Sequence, residues 1–246
     1  MPKTITHTYS WVKSLSISLL IFGLFSLIQI GILLIFLLQN GFTINDINLN
    51  PETLEEQAYN FIAPISICSS LLGILLVIYL SKFIYTGNKF SEEIRNKIIP
   101  INKDESIGKT IEWVFILLGF SIFITLLANW LGVMSEVEFT NQVLNNSGNM
   151  ILLFYGFGIV QPIFEELLFR GLLFKGLKSK LGGNLTVLIT SILFVIAHIQ
   201  YDLIILLLVL FPNALILGFA RLKTGNLTIP IILHCINNII VLLINS

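Results

Sequence analysis

Residues 15–38, LSISLLIFGLFSLIQIGILLIFLL, carry no charged side chain. The run exceeds the about 20 apolar residues that a helix needs to cross a bilayer. Comparable runs occupy 61–81, 111–133, 150–174, 203–222 and 226–244. A shorter one, 185–199, ends in AHIQYD and is expected to tilt or to stop inside the protein. Strands of a membrane barrel would alternate in polarity, and these runs are too long and too continuous for that. The expected fold is therefore all-α: a polytopic helical membrane protein of about seven transmembrane helices in a single membrane domain over 1–246. Composition agrees. Only 11% of the residues are charged, against about 25% in soluble domains. The net charge is zero and no basic block offers itself to nucleic acid. Cys68 and Cys235 both fall in apolar runs and imply neither a disulfide framework nor a metal knuckle. The first run outlasts a signal-peptide core and lacks a small-x-small cleavage site, so it reads as a retained span.

Basic residues set the expected orientation. Lys3 and Lys13 precede the first span, and six more (Lys82, Lys89, Arg95, Lys97, Lys103, Lys109) separate the second from the third. Lys175, Lys178 and Lys180 follow the fourth span, and Arg221 and Lys223 follow the sixth. The alternate loops 39–60, 134–149 and 200–202 have acids but no Lys or Arg. By the positive-inside rule the N-terminus is cytoplasmic and the C-terminus outside, as seven spans require. In the long cytoplasmic loop, FSEEIRNKI looks like a short amphipathic surface helix.

One group of residues does not suit lipid. From residue 150 onward the spans contain Glu165, Glu166, Arg170, His198 and His234, with Asn238 beside the last, whereas the first three runs hold no acid or base in their interiors. Such groups cost about 2.5–3.5 kcal/mol at a span centre unless they face a bundle interior or a water-filled cavity. Glu166 and Arg170 are at i and i+4 with the acid first, the favourable order for an ion pair. Glu165 points about 100° away and has no opposite charge at i+4. Pro162 removes the amide that would bond the Gly158 carbonyl, so a kink is expected there. Gly156 and Gly158 would permit close packing. His234 and Asn238 share a face, and Phe194 is placed beside His198 by the same spacing. Counting from the loops puts His234 near the midplane, Glu165 about 5 Å to the cytoplasmic side and His198 further outward. A lone membrane histidine ordinarily serves as a helix–helix hydrogen-bonding group, and an isolated Glu–Arg pair as a structural ion pair. An unpaired Glu, two His and an Asn on three spans have no cheap structural role.

A carboxylate and an imidazole can share a water, the carboxylate taking its proton while the imidazole orients the attacking oxygen. A second histidine and an amide can donate to a developing oxyanion. That is a hydrolase constellation. No Ser, Thr or Cys is evidently paired with a base, which argues against a covalent intermediate. The preferred reading uses no metal or other cofactor. Glu165, His198 and His234 could also form a zinc triad, although no H-E-x-x-H is present.

Three stretches carry a family resemblance: EELLFR (Glu165–Arg170) fits E-E-x-x-x-R, FVIAH (Phe194–His198) fits F-x-x-x-H, and HCINN (His234–Asn238) fits H-x-x-x-N. KTGNLTIPIILH leads into the last. In this order they resemble the CPBP family (CAAX proteases and bacteriocin-processing enzymes, also called Abi), over residues 156–238. The resemblance implies an intramembrane endopeptidase related to the CAAX prenyl endopeptidases. Residues 150–244 would be the catalytic region and 1–149 generic N-terminal spans. Glu165 would be the water-activating base with His198, His234 with Asn238 the oxyanion site, and Glu166 with Arg170 their support. It further implies a peptide or membrane-protein substrate, a multi-pass bacterial cell membrane protein, and a part in bacteriocin self-immunity or processing of a secreted or membrane peptide. Two other classes compete. A non-catalytic immunity or scaffold protein that binds a peptide or partner would have no physical need for an unpaired intramembrane acid. A proton-coupled transporter would use Glu and His too, but no inverted repeat or pair of broken helices is evident.

Overall fold

In the computed structural model the described residues are 11–41, 43, 51–84, 103–131, 142–144 and 149–245. They form no strand, and seven helices of more than one turn follow one another. These are α1 (Trp11–Gln39), α2 (Pro51–Ser81), α3 (Lys103–Leu131), α4 (Met150–Leu181), α5 (Gly183–Ile196), α6 (Leu203–Thr224) and α7 (Thr228–Asn245). The polytopic helical architecture expected from the apolar runs is the one observed. The FSEEIRNKI segment, with Lys3, Lys89, Arg95 and Lys97, lies outside the described residues.

Among the described residues, five helices are long and apolar enough to cross a membrane. Their outward side chains suit lipid: Leu19, Leu27, Phe115, Phe123 and Ile151 are all exposed. α5 is different. Its 14 residues make about 21 Å of helix, less than the ~30 Å hydrocarbon core, so it is too short to cross upright, as its short run suggested. α4 is the opposite case, with 32 residues and about 48 Å of helix.

α4 is not evenly wound. Wide π turns occupy Gly156–Val160 and Leu167–Leu173, on either side of the short α-helical stretch Gln161–Glu166. Turns of this kind are rare and frequently mark functional sites. They also modify the expectation at Pro162. In the first wide turn the Gln161 N–H bonds the carbonyl of Gly156, five residues back. The Phe157 carbonyl has then lost its ordinary donor to Gly156, and the next candidate donor is Pro162, which has no N–H. The Phe157 carbonyl is thus left to a partner outside α4.

Neighbouring helices dock on carbonyls of the wide turns. Asn238 Nδ2 donates to Phe157 O at 3.0 Å, Ser14 Oγ to Leu172 O at 2.8 Å, and Arg221 Nε to Arg170 O at 3.1 Å. Glycines let these helices approach. A Cβ on Gly158 would sit 3.1 Å from Ile239 Cγ1, and one on Gly156 would sit 3.3 Å from the Ala63 carbonyl. The packing of α4 against α2 and α7 therefore depends on the two glycines, as expected. Phe164 stacks on Phe25 with ring centroids 4.3 Å apart, in a core built from α1, α2, α4, α5 and α6.

Candidate active site

The stretch Gln161–Glu166 presents both glutamates to the centre of the bundle, where Glu165 and Glu166 are buried. The 100° between them gives each a separate set of partners.

Glu166 and Arg170 pair as expected, Arg170 Nη1 lying 3.3 Å from Glu166 Oε1 with both side chains fully buried. Arg170 Nη2 donates to the Ala214 carbonyl of α6 at 3.0 Å, and the guanidinium lies 4.6 Å from the centroid of the Phe194 ring. Glu166 has a further partner that helical spacing did not reveal: His234 Nδ1, 3.0 Å from the same Oε1. A carboxylate so placed accepts, so Nδ1 carries the hydrogen and Nε2 is left facing the cavity.

The second histidine is held in the same way. His198 Nδ1 lies 2.8 Å from the Phe194 carbonyl, which can only accept, so its Nε2 is also the inward atom. Phe194 stands against both rings. It stacks on His198 with centroids 4.4 Å apart and meets His234 edge-on at 5.6 Å. The aromatic expected beside His198 therefore also braces His234 and the arginine.

Both inward Nε2 atoms converge on Glu165. His198 Nε2 is 3.9 Å from Glu165 Oε1, and His234 Nε2 is 3.7 Å from Oε2. These separations exceed a direct hydrogen bond. With both rings neutral, the two nitrogens and two carboxylate oxygens are all acceptors, an arrangement suited to a donor such as water between them. The offset in depth expected from residue counting is not found. Counting assumes straight, evenly wound helices normal to the bilayer, whereas wide turns advance less per residue and α5 stops short.

Glu165 is not unpartnered, which corrects the reading from charge spacing. Gln161 Nε2 donates to Glu165 Oε1 at 2.8 Å, and Ser66 Oγ donates to Gln161 Oε1 at 2.8 Å. This relay runs from α2 to the carboxylate and was missed because neither member is charged. The signal was nonetheless present, in an amide at i−4 from the acid on an apolar helix.

Asn238 is on the same cavity wall, but its amide is partly committed. One Nδ2 hydrogen goes to Phe157 O, and its Oδ1 lies 3.4 Å from Asn237 Nδ2. The remaining Nδ2 hydrogen is available to a ligand. His234 and Asn238 thus share a cavity without sharing a hydrogen-bond partner.

These groups line a cavity of about 360 Å³ that contains Glu165, His198, His234 and Asn238, with Gln161 and Ser66 on its wall and Phe25 from α1. Glu166 and Arg170 lie behind it. No group of three His, Cys, Asp or Glu side chains among the described residues is spaced to hold a metal ion. The Cys235 thiol faces the Ile159 carbonyl at 3.9 Å, and Cys68 is also a free thiol.

The comparison with known proteins falls on this region. An uncharacterized 24.3 kDa protein of Escherichia coli is 42% identical over 78 residues, which span 31% of this chain and 36% of that protein. The chain therefore matches about a third of the length of this curated relative. No solved structure matches. Residues 147–240 match the family described as type II CAAX prenyl endopeptidase Rce1-like. The segment that builds the cavity's acid–histidine wall, α4 through most of α7, is the part of this helical membrane protein that resembles that family.

Proposed function

We propose that the protein is an intramembrane endopeptidase that hydrolyses a peptide bond with a water activated by Glu165. The observation that carries this reading is the meeting of Glu165 on α4, His198 Nε2 in the turn after α5 and His234 Nε2 on α7 in one cavity. Glu165 takes a proton from the water while His198 holds the oxygen, and the resulting hydroxide attacks the carbonyl carbon. The second hydrogen of Asn238 Nδ2 then donates to the oxyanion, beside the His234 ring that Glu166 orients. Glu165 returns the proton to the leaving nitrogen as the C–N bond breaks, which regenerates the carboxylate. Gln161 holds Glu165 in place throughout. Arg170 holds Glu166 against His234, and Phe194 fixes the planes of both rings.

The physiological role is bacteriocin self-immunity or processing of a secreted or membrane peptide in a bacterial cell membrane. The resemblance carried by the three motifs supports this role. Mass-spectrometric profiling of membrane peptides, comparing wild type with Glu165→Gln, is expected to reveal a product that only the wild type makes. Removal of a general base typically costs about 10²–10⁴ in rate. An unchanged peptide profile with both proteins equally abundant would leave a binding or scaffold function instead. Purified wild-type protein is expected to cleave after exhaustive chelation. Activity lost on zinc removal and restored by zinc would turn the same three side chains into metal ligands.

A further inference from the structure

We infer that Asn213 on α6 is a substrate contact, its side-chain oxygen accepting a hydrogen bond from a backbone N–H of the peptide held beside Glu165. That the ligand is a peptide rests on the protease reading above; Asn213 itself lies outside the three motifs.

From Leu203 to Ala220, α6 has Asn213 as its one polar side chain. An amide in an apolar membrane helix ordinarily bonds across to a neighbouring helix. The Asn213 oxygen does not. Oδ1 is buried, and no described residue donates to it. Buried polar atoms are nearly always partnered, so an orphan calls for a specific cause. An unpaired acceptor is a cost to the free protein that an arriving donor removes.

The winding of α6 turns this amide into the cavity that holds Glu165. Leu210, Asn213, Ala214 and Leu217 all line it, and positions i, i+3, i+4 and i+7 share one helical face. The next residue fixes that face against the site. Ala214 O accepts from Arg170 Nη2 at 3.0 Å, and Arg170 is the ion-pair partner of Glu166. Asn213 is thus tied, through its neighbour, to the helix that carries the base. The backbone of α6 also repeats a feature of α4. A wide turn over Leu206–Leu210, in which the Phe211 N–H bonds the Leu206 carbonyl, comes just before Pro212. On α4 the wide turn Gly156–Val160 stands in the same relation to Pro162. Beside the first proline Gln161 bonds Glu165; beside the second, Asn213 Oδ1 has no partner.

The donor that fits is a peptide N–H. A chain cut here is extended at the scissile bond, and an extended segment cannot satisfy its own backbone groups. The described residues form no strand that could pair with it, so side chains must take the substrate's N–H groups. Glu165 and His198 are occupied with the water, and Asn238 Oδ1 lies 3.4 Å from Asn237 Nδ2. Asn213 Oδ1 is uncommitted. It would touch the substrate away from the reacting atoms, and so contribute to binding rather than to the chemical step.

The test uses full-length wild type, Asn213→Leu and Asn213→Ala in detergent, with a library of internally quenched peptides. Both replacements remove an unpaired polar atom, so at least one is expected to match or exceed wild type in heat resistance. For peptides that wild type cleaves, KM should rise about three- to ten-fold, the worth of one hydrogen bond, with kcat little changed. The best-cleaved peptide is then resynthesised with each backbone N–H outside the scissile bond replaced in turn by N-methyl. One position should raise KM for wild type and leave it unchanged for the variants, the coupling expected of a direct bond. Unchanged KM in both variants, a fall in kcat alone, or lower heat resistance in both overturns the assignment. So does an N-methyl scan to which wild type and variants respond alike. Binding is read separately, as the heat resistance that the same library adds to the Glu165→Gln protein. Where wild type cleaves nothing but peptide stabilises Glu165→Gln and not Glu165→Gln, Asn213→Leu, the contact stands and the protease reading falls. Stabilisation that survives the loss of Asn213 overturns the contact, and neither cleavage nor stabilisation by any peptide overturns both.

Discussion

The two adjacent glutamates illustrate how neighbours on one helix acquire different chemistry. Glu166 is surrounded by cationic or donor groups: Arg170 at 3.3 Å and His234 at 3.0 Å. Replacing it by Gln strands Arg170 at 0% exposure, and loss of one partner of a buried pair costs about 3–5 kcal/mol. Glu166→Gln is therefore expected to accumulate poorly in membranes. Combining it with Arg170→Met should recover part of that level, as read by immunoblot of membrane fractions; equal loss in both would mean that the pair is not the cause. Glu165→Gln should accumulate normally and fail to cleave. Gln161 belongs with Glu165. A hydrogen bond to a charged group is worth about 1.5–3 kcal/mol, so Gln161→Leu should lower kcat roughly ten-fold or more at unchanged protein level, with little effect on KM. A KM effect alone would make Gln161 a contact for the substrate rather than a positioning residue for the base.

At the scale of the helix, the unusual feature is the winding of α4. Pro162 and the wide turn before it leave the Phe157 carbonyl to Asn238, so α7 is tied to α4 through a residue that also faces the cavity. Asn238→Ala is expected to remove an oxyanion donor, worth about 10²–10³ in rate. It also orphans the part-buried Phe157 carbonyl, for which about 1–3 kcal/mol is the upper range. The variant should thus lose both activity and heat resistance in detergent, whereas His198→Ala should lose activity with a smaller stability change. Equal thermal inactivation of Asn238→Ala and wild type would show that the Phe157 bond contributes nothing. Pro162→Ala supplies a backbone donor at the wide turn. If proline maintains that turn, the variant should fold and cleave poorly, because Glu165 and Glu166 hang directly beneath it.

Over the whole molecule, the site depends on helices from both halves of the chain. Ser66 of α2 and Phe25 of α1 reach the cavity that α4 to α7 supply with acid and imidazole. The packing places the described basic residues other than Arg170 at one end of the bundle, consistent with a cytoplasmic face. Reporter fusions are expected to place the connection after Ser81 inside and the end of α7 outside. A cytoplasmic reporter at the C-terminus would reverse or break that arrangement.

The sequence by itself determined the parts of this protein that depend on local chemistry. Lipid tolerates only long apolar helices, so the runs beginning at residues 15, 61, 111, 150 and 203 declared themselves. The short run before His198 announced a helix that would tilt or stop inside. Ionisable groups confined to the spans after residue 150 likewise located the site, since hydrocarbon tolerates such groups only around a polar interior. Helical periodicity was enough for Glu166 with Arg170 and for Phe194 beside His198, because both pairs lie within a single helix. Only the tertiary structure decided that His234 leans on Glu166, that Ser66 bonds the Gln161 amide beside Glu165, and that Asn238 caps Phe157. Those contacts join different helices or follow an uneven winding. The rotation, tilt and turn width that create them come from glycine contacts and interhelical packing, which no period of 3.6 residues encodes.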